Sequence, residues 1–147
     1  MTIKDIDIER IQKRFREIEV RLKYLHESAA TDKITFLTDH RLATSTERDL
    51  EIAIQACLDI ADHLIAKLGL ELPKKDRKET FSILASHKII PQELVSNLTS
   101  MAGQRNILIH EYLEVERDKI YQTINENLDD FVRFVQAIQR YLDKIKP

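Results

Sequence analysis

Apolar residues recur at steps of three and four along both ends of this chain, and that spacing constrains its fold more than any other feature. Near the start Ile8, Ile11, Phe15, Ile18, Leu22 and Leu25 keep the period, with Arg10, Lys13, Arg14, Glu17 and Arg21 between them. This is an amphipathic helix of about six turns. Near the end Ile120, Ile124, Leu128, Phe131, Val135, Ile138 and Leu142 repeat the pattern in a helix that begins near Glu116. A second long helix runs from about Asp39 past Leu42, Leu50, Ile54, Cys57 and Leu64 to a stop at Gly69 and Pro73. Before it, Ile34, Phe36 and Leu37 form a short apolar anchor. Asp76 suits the cap of a short helix carrying Phe81, Leu84 and Ala85. Pro91 suits the first position of a fourth helix, which passes Leu98 and Met101 and reaches about Ile109. The polar run Thr44, Ser45 and Thr46 interrupts the second helix for no reason visible in the sequence.

Turn residues decide what else is possible. Two Gly and three Pro in 147 residues are too few for a many-stranded barrel or sandwich, or for a Gly-rich phosphate loop. The expectation is an all-α antiparallel bundle of three long and two shorter helices, in a single domain spanning 1–147. The stripes on the first and last helices read as faces of its own core, with a coiled-coil partner surface as the alternative.

Charge and cysteine content exclude several classes of function. Lys and Arg number 23 against 25 Asp and Glu, so the net charge of −2 draws the whole molecule neither to nucleic acid nor to an anionic membrane. Any such contact is local. Lys74, Lys75, Arg77 and Lys78 form the one dense basic run, either a set of RNA-backbone contacts or a solvated loop. Cys57 stands alone, which excludes an internal disulfide and a cysteine-based zinc site, and it falls on the apolar stripe of the second helix. His26, His40, His63 and His87 are scattered along the chain with no metal-ligand spacing, so no metal site is expected. Asp39, Glu47, Arg48, Glu51 and Asp59 read as ion pairs of the second helix, with Arg48 nearest to offset Glu47 and Glu51. Tyr24, Tyr121 and Tyr141 read as packing residues. No leader-like start and no apolar run long enough to span a bilayer are present, so the expected place is the cytoplasm.

One stretch carries chemistry: Arg105-Asn106-Ile107-Leu108-Ile109-His110-Glu111-Tyr112. It combines a permanent cation, an amide, an imidazole and a phenol. Those groups suit cleavage of an RNA phosphodiester without a metal, because the ribose 2′-hydroxyl is already in place as nucleophile. What remains is to move protons and to stabilise charge on the phosphoryl oxygens. Histidine titrates nearest neutrality and arginine's planar fork matches phosphate. Asn106 and His110 are four apart and share a helix face, whereas Arg105 and His110 lie about 140° apart around a regular helix. Either the helix ends before His110, or a second chain completes the pair. The same residues at a helix end also serve as caps and backbone partners.

Arg105 to Tyr112 resembles the R-x-x-x-x-H-x-Y motif of the HEPN superfamily, in the branch that holds the HepT-type toxins. The similarity extends to Phe36-Leu37-Thr38-Asp39-His40-Arg41, to Glu47-Arg48, to Glu51 through Asp59, and to Leu72-Pro73, Phe81, Leu84 and Ile90-Pro91. Gln104 departs from the pattern, since many relatives carry an apolar or aromatic residue there. The resemblance implies a metal-independent endoribonuclease that needs no cofactor, with Arg105 and His110 catalytic and Asn106 and Tyr112 positioning the substrate. It also implies a homodimer in which two motifs face one cleft, and an MNT-type nucleotidyltransferase antitoxin that transfers AMP to Tyr112. The alternative reading is a non-catalytic helical partner of such a nucleotidyltransferase, and a third is a coiled-coil scaffold.

Overall fold

The computed structural model describes residues 5–74, 79–110 and 117–146, with side chains from 105 to 110 outside the description. Every regular element among the described residues is helical. Capping explains most of the boundaries. Helix α1 (Ile8–Ala29) starts where the Asp7 carboxylate accepts the Arg10 amide at 3.0 Å. Its buried positions Ile11, Ile18, Leu25 and Ser28 form the inward stripe. The apolar anchor is itself a helix, α2 (Lys33–Thr38), capped by Asp32, which accepts from both the amide and the hydroxyl of Thr35. Asp39 ends α2 and caps α3 (His40–Lys67), accepting the Leu42 amide at 3.1 Å.

Helix α3 ends in a Schellman turn: Gly69 takes φ 67°, and the Leu70 amide reaches back to the Ile65 carbonyl at 2.9 Å. Helix α4 (Glu79–Ser86) ends the same way, with Lys88 at φ 60° and the Ile89 amide on the Leu84 carbonyl at 2.9 Å. Asp76, expected as its cap, lies outside the described residues. Pro91 precedes a 3-10 turn (Gln92–Leu94), and the α-helix proper, α5 (Val95–His110), begins after it.

The long C-terminal helix expected from the stripe is two helices, α6 (Arg117–Glu126) and α7 (Leu128–Ile145). They break at Asn127, whose amide group donates to Asp130 at 3.3 Å, a local bond that competes with helix continuation. Asn97 of α5 donates to the same carboxylate at 3.0 Å, so the buried Asp130 is held from two sides. The apolar register passes through the break unchanged, and Ile120, Ile124, Leu128, Phe131 and Ile138 are all buried.

Helix α3 is the centre of the bundle, packing against α1, α4, α5 and α7. Its long contact with α1 is antiparallel: Thr46 meets Ser28, Asp49 meets Arg21, and His63 meets Asp7. The Thr46 hydroxyl bonds Ser28 Oγ at 2.8 Å and the Leu42 carbonyl at 2.7 Å, which accounts for one of the three polar residues in the run at 44–46. Phe81 and Phe134 meet edge to face in the core, and Phe36 lies against Tyr121. The first helix's stripe therefore faces its own core. Tyr24 does not: it is 45% exposed, because its position turns away from that stripe.

Candidate active site

Helix α5 carries the motif from Arg105 to His110. Leu98, Met101 and Ala102 are buried, which fixes its rotation against the bundle. Helical backbone continues without a break to His110, so the motif's arginine and histidine positions stand on one helix. On that helix positions 105 and 110 lie about 140° apart around the axis, while 106 and 110 share a face. The option that the helix ends before His110 is thereby removed. The side chains of Arg105, Asn106 and His110 lie outside the description, as does Tyr112 altogether.

Side chains on both flanks of the motif make polar contacts. Gln104, the departure from the family pattern, points its amide at Thr123 of α6 and donates to the hydroxyl at 2.9 Å. A polar residue here has a polar partner, and the bond ties α5 to α6 one residue before Arg105. On the far side, Arg117 opens α6 and reaches back to the α2–α3 corner. Its Nη2 donates to His40 Nδ1 at 2.6 Å, its Nη1 to the Leu37 carbonyl at 3.5 Å, and its Nε lies 4.0 Å from Glu47. Burial pushes the Glu47 carboxyl above its usual range, with the charges of Arg117 and His40 acting against the shift. The motif segment is thus anchored before and after.

Sequence reasoning missed Arg117. It assigned Arg48 to offset both glutamates, but Arg48 pairs with Glu51 at 2.9 Å, and the cation nearest Glu47 comes from α6. No spacing rule links residues so far apart in the chain. Asp59 is an ion-pair residue as expected, 3.5 Å from Arg14 of α1, whereas Asp39, also read as an ion-pair residue, serves as the cap of α3.

Of the basic run, Lys74 is exposed, and its backbone amide donates to Glu79 at 2.8 Å. Lys75, Arg77 and Lys78 lie outside the described residues. His87 pairs with Glu71 at 2.9 Å, and that hydrogen bond lowers the glutamate's pKa. His63 accepts the Asp7 amide. Among the described residues no group of three or more His, Cys, Asp or Glu is arranged to hold a metal ion. Cys57 is fully buried and its thiol is pushed far above its usual range by desolvation. No helix among the described residues is long and apolar enough to cross a membrane.

An all-helical bundle with R-x-x-x-x-H-x-Y beginning on an inner helix defines the HEPN class of ribonucleases. Within that class the chain belongs to the Ribonuclease HepT-like family, whose model matches residues 7–138. It is 34% identical over 108 residues to the mRNA nuclease HepT of Shewanella oneidensis, covering 74% of this chain and 80% of that one. It is 30% identical over 107 residues to the tRNA nuclease HepT of Aphanizomenon flos-aquae, covering 73% of this chain and 72% of that one. In three dimensions it is similar to the tri-AMPylated Shewanella oneidensis HEPN toxin solved in complex with its MNT antitoxin. The TM-score is 0.82 at 29% identity, over 91% of this chain and 99% of that one.

Proposed function

We propose that residues 1–147 act as one HEPN-like unit, a cytoplasmic endoribonuclease toxin held in check by a nucleotidyltransferase-fold antitoxin of the MNT type. The observation that carries this reading is a HepT-family motif on a helix that continues unbroken to His110. Arg105 binds the scissile phosphate and stabilises the charge that grows on its oxygens. His110 moves a proton as general base or acid. The 2′-oxygen forms a bond to phosphorus while the bond to the 5′-oxygen breaks, the 2′-hydroxyl proton leaves to a base, and the 5′-oxygen gains one from an acid. The product is a 2′,3′-cyclic phosphate and a 5′-hydroxyl. Asn106 and Tyr112 position the phosphate, and none of these steps needs a metal.

The 140° between positions 105 and 110 supports a homodimeric, composite site, in which each chain's arginine works with the other chain's histidine. Lys74, Lys75, Arg77 and Lys78 supply further RNA-backbone contacts. Inactivation follows from the same electrostatics. Attack of the Tyr112 phenol oxygen on the α-phosphorus of ATP releases pyrophosphate and leaves AMP, whose negative phosphate occupies Arg105 and blocks RNA.

The test is cleavage of a mixed RNA pool by unmodified protein in EDTA. Wild type is expected to leave cyclic-phosphate ends, while Arg105→Ala and His110→Ala lose about 100-fold or more in rate, the scale of general acid–base and charge-stabilising groups. No cleavage by protein of unmodified mass overturns the enzyme in favour of a non-catalytic nucleotidyltransferase partner. Co-expression with the antitoxin is expected to add AMP that vanishes in Tyr112→Phe, and an unmodified tyrosine in a neutralised complex refutes that route.

A further inference from the structure

Two amide side chains on one stripe of α5 tie the motif helix to the helices that follow it. Asn97 donates to Asp130 of α7 at 3.0 Å. Seven residues further on, Gln104 and Thr123 of α6 bond in both directions. The amide nitrogen donates to the hydroxyl at 2.9 Å, and the hydroxyl donates to the amide oxygen at 3.1 Å. Two turns of helix bring positions 97 and 104 to within about 20° of each other around the axis. Their partners are seven apart as well, in the opposite sense, so both bonds fit one antiparallel register across the break at Asn127. Thr123 and Asp130 are both buried. A slip of one turn, or a rotation that withdraws either amide, leaves a buried hydroxyl or carboxylate short of a partner, which costs more than the bond itself contributes.

Apolar packing does not supply the same precision. Leu98, Met101 and Ala102 decide which side of α5 faces the bundle, but alanine is small and methionine pliable, so a small rotation costs little there. Further along, Ile107, Leu108 and Ile109 are consecutive, and spread over about 200° of a helix they favour no one rotation. A polar pair beside an apolar seam sets register where the apolar contacts leave it open. Gln104 immediately precedes Arg105, and its partner stands on a helix held at its first residue by the bonds of Arg117 to Leu37 and His40. The polar departure from the family pattern at 104 therefore sits where it can aim the arginine.

We infer that Gln104 and Thr123, with Asn97 and Asp130 behind them, are the positioning pairs that set the rotation of the motif helix and the aim of Arg105. The inference deepens the ribonuclease reading and rests on it. A rotated arginine still attracts RNA by its charge but misses the geometry of the transition state, so the defect falls on the rate at saturating RNA rather than on binding.

The test combines RNA cleavage with amide hydrogen exchange on unmodified full-length protein, using a mixed cellular RNA pool as substrate. Thr123→Val and Gln104→Leu are each expected to lose about tenfold in rate at saturating RNA, with the half-saturating RNA concentration unchanged within about twofold. Thr123→Ser keeps the hydroxyl and is expected to keep the rate. The double variant Gln104→Leu/Thr123→Val replaces both partners by apolar groups of similar size and is expected to recover to within about threefold of wild type. Exchange in a peptide spanning 98–110 is expected to rise about tenfold in Thr123→Val and to return toward wild type in the double variant. Single variants that cut at the wild-type rate, or a double variant as slow as the two losses multiplied, overturn the proposal. Exchange keeps the two readings apart. A wild type that cuts no RNA while Thr123→Val still loosens the 98–110 peptide removes the enzyme alone, whereas an active wild type with unchanged rate and exchange in Thr123→Val removes the positioning pair alone.

Discussion

His63 shows how one side chain sets a pH limit on the fold. Its Nε2 accepts the Asp7 amide at 2.9 Å, and it is nearly buried on α3. Desolvation lowers its pKa below the ordinary 6.5, and the positive charges of Arg10 and Lys67 lower it further, while Asp7 pulls the other way. The unfolded chain therefore takes up a proton at pH values where the native chain resists it. Its contribution to stability is complete above about pH 6.5 and is lost as pH falls through the depressed native value. Melting temperatures measured from pH 7.5 to 5 are expected to decline, and His63→Gln, which keeps an acceptor but does not titrate, is expected to flatten that decline. An unchanged slope refutes the assignment. At this same scale the motif was legible because its spacing is local, whereas Arg117, on the other side of the motif, was not. Its partners are Leu37, His40 and Glu47, and only folding brings them near.

Among the elements, the helix end read best from sequence is the one that a glycine marks. Gly69 signals its own Schellman turn, and the structure puts it there at φ 67°. The end of α4 gave no such signal, because Lys88 holds the left-handed position at φ 60° without being a glycine. Lys88→Gly removes the clash between Cβ and backbone and is expected to stabilise the protein by about 1 kcal/mol, measured by urea unfolding. A destabilised variant shows that the lysine side chain contributes something at that turn. The split between α6 and α7 was invisible for a different reason. Hydrophobic periodicity reports which face is buried, and that face runs straight through the break at Asn127.

For the molecule as a whole, Cys57 reports on global opening. It is wholly enclosed in the central helix, and its thiol is far from forming a thiolate. A thiol reagent is expected to leave the native protein unlabelled over hours near neutral pH, and labelling in urea should rise with the same midpoint as the loss of helical signal. Labelling well before that midpoint indicates that α3 opens locally. The sequence by itself determined that the chain is helical, which faces of its helices are buried, and where the family's eight-residue motif lies. Those follow from 3.6-residue periodicity, a shortage of turn residues, and groups close together along the chain. Only the tertiary structure decided that α5 runs intact to His110, which partners hold Arg117 and Gln104, and that polar atoms of Arg14 and Gln55 are buried unpaired. These depend on which helices pack together, and packing joins residues that no local rule relates.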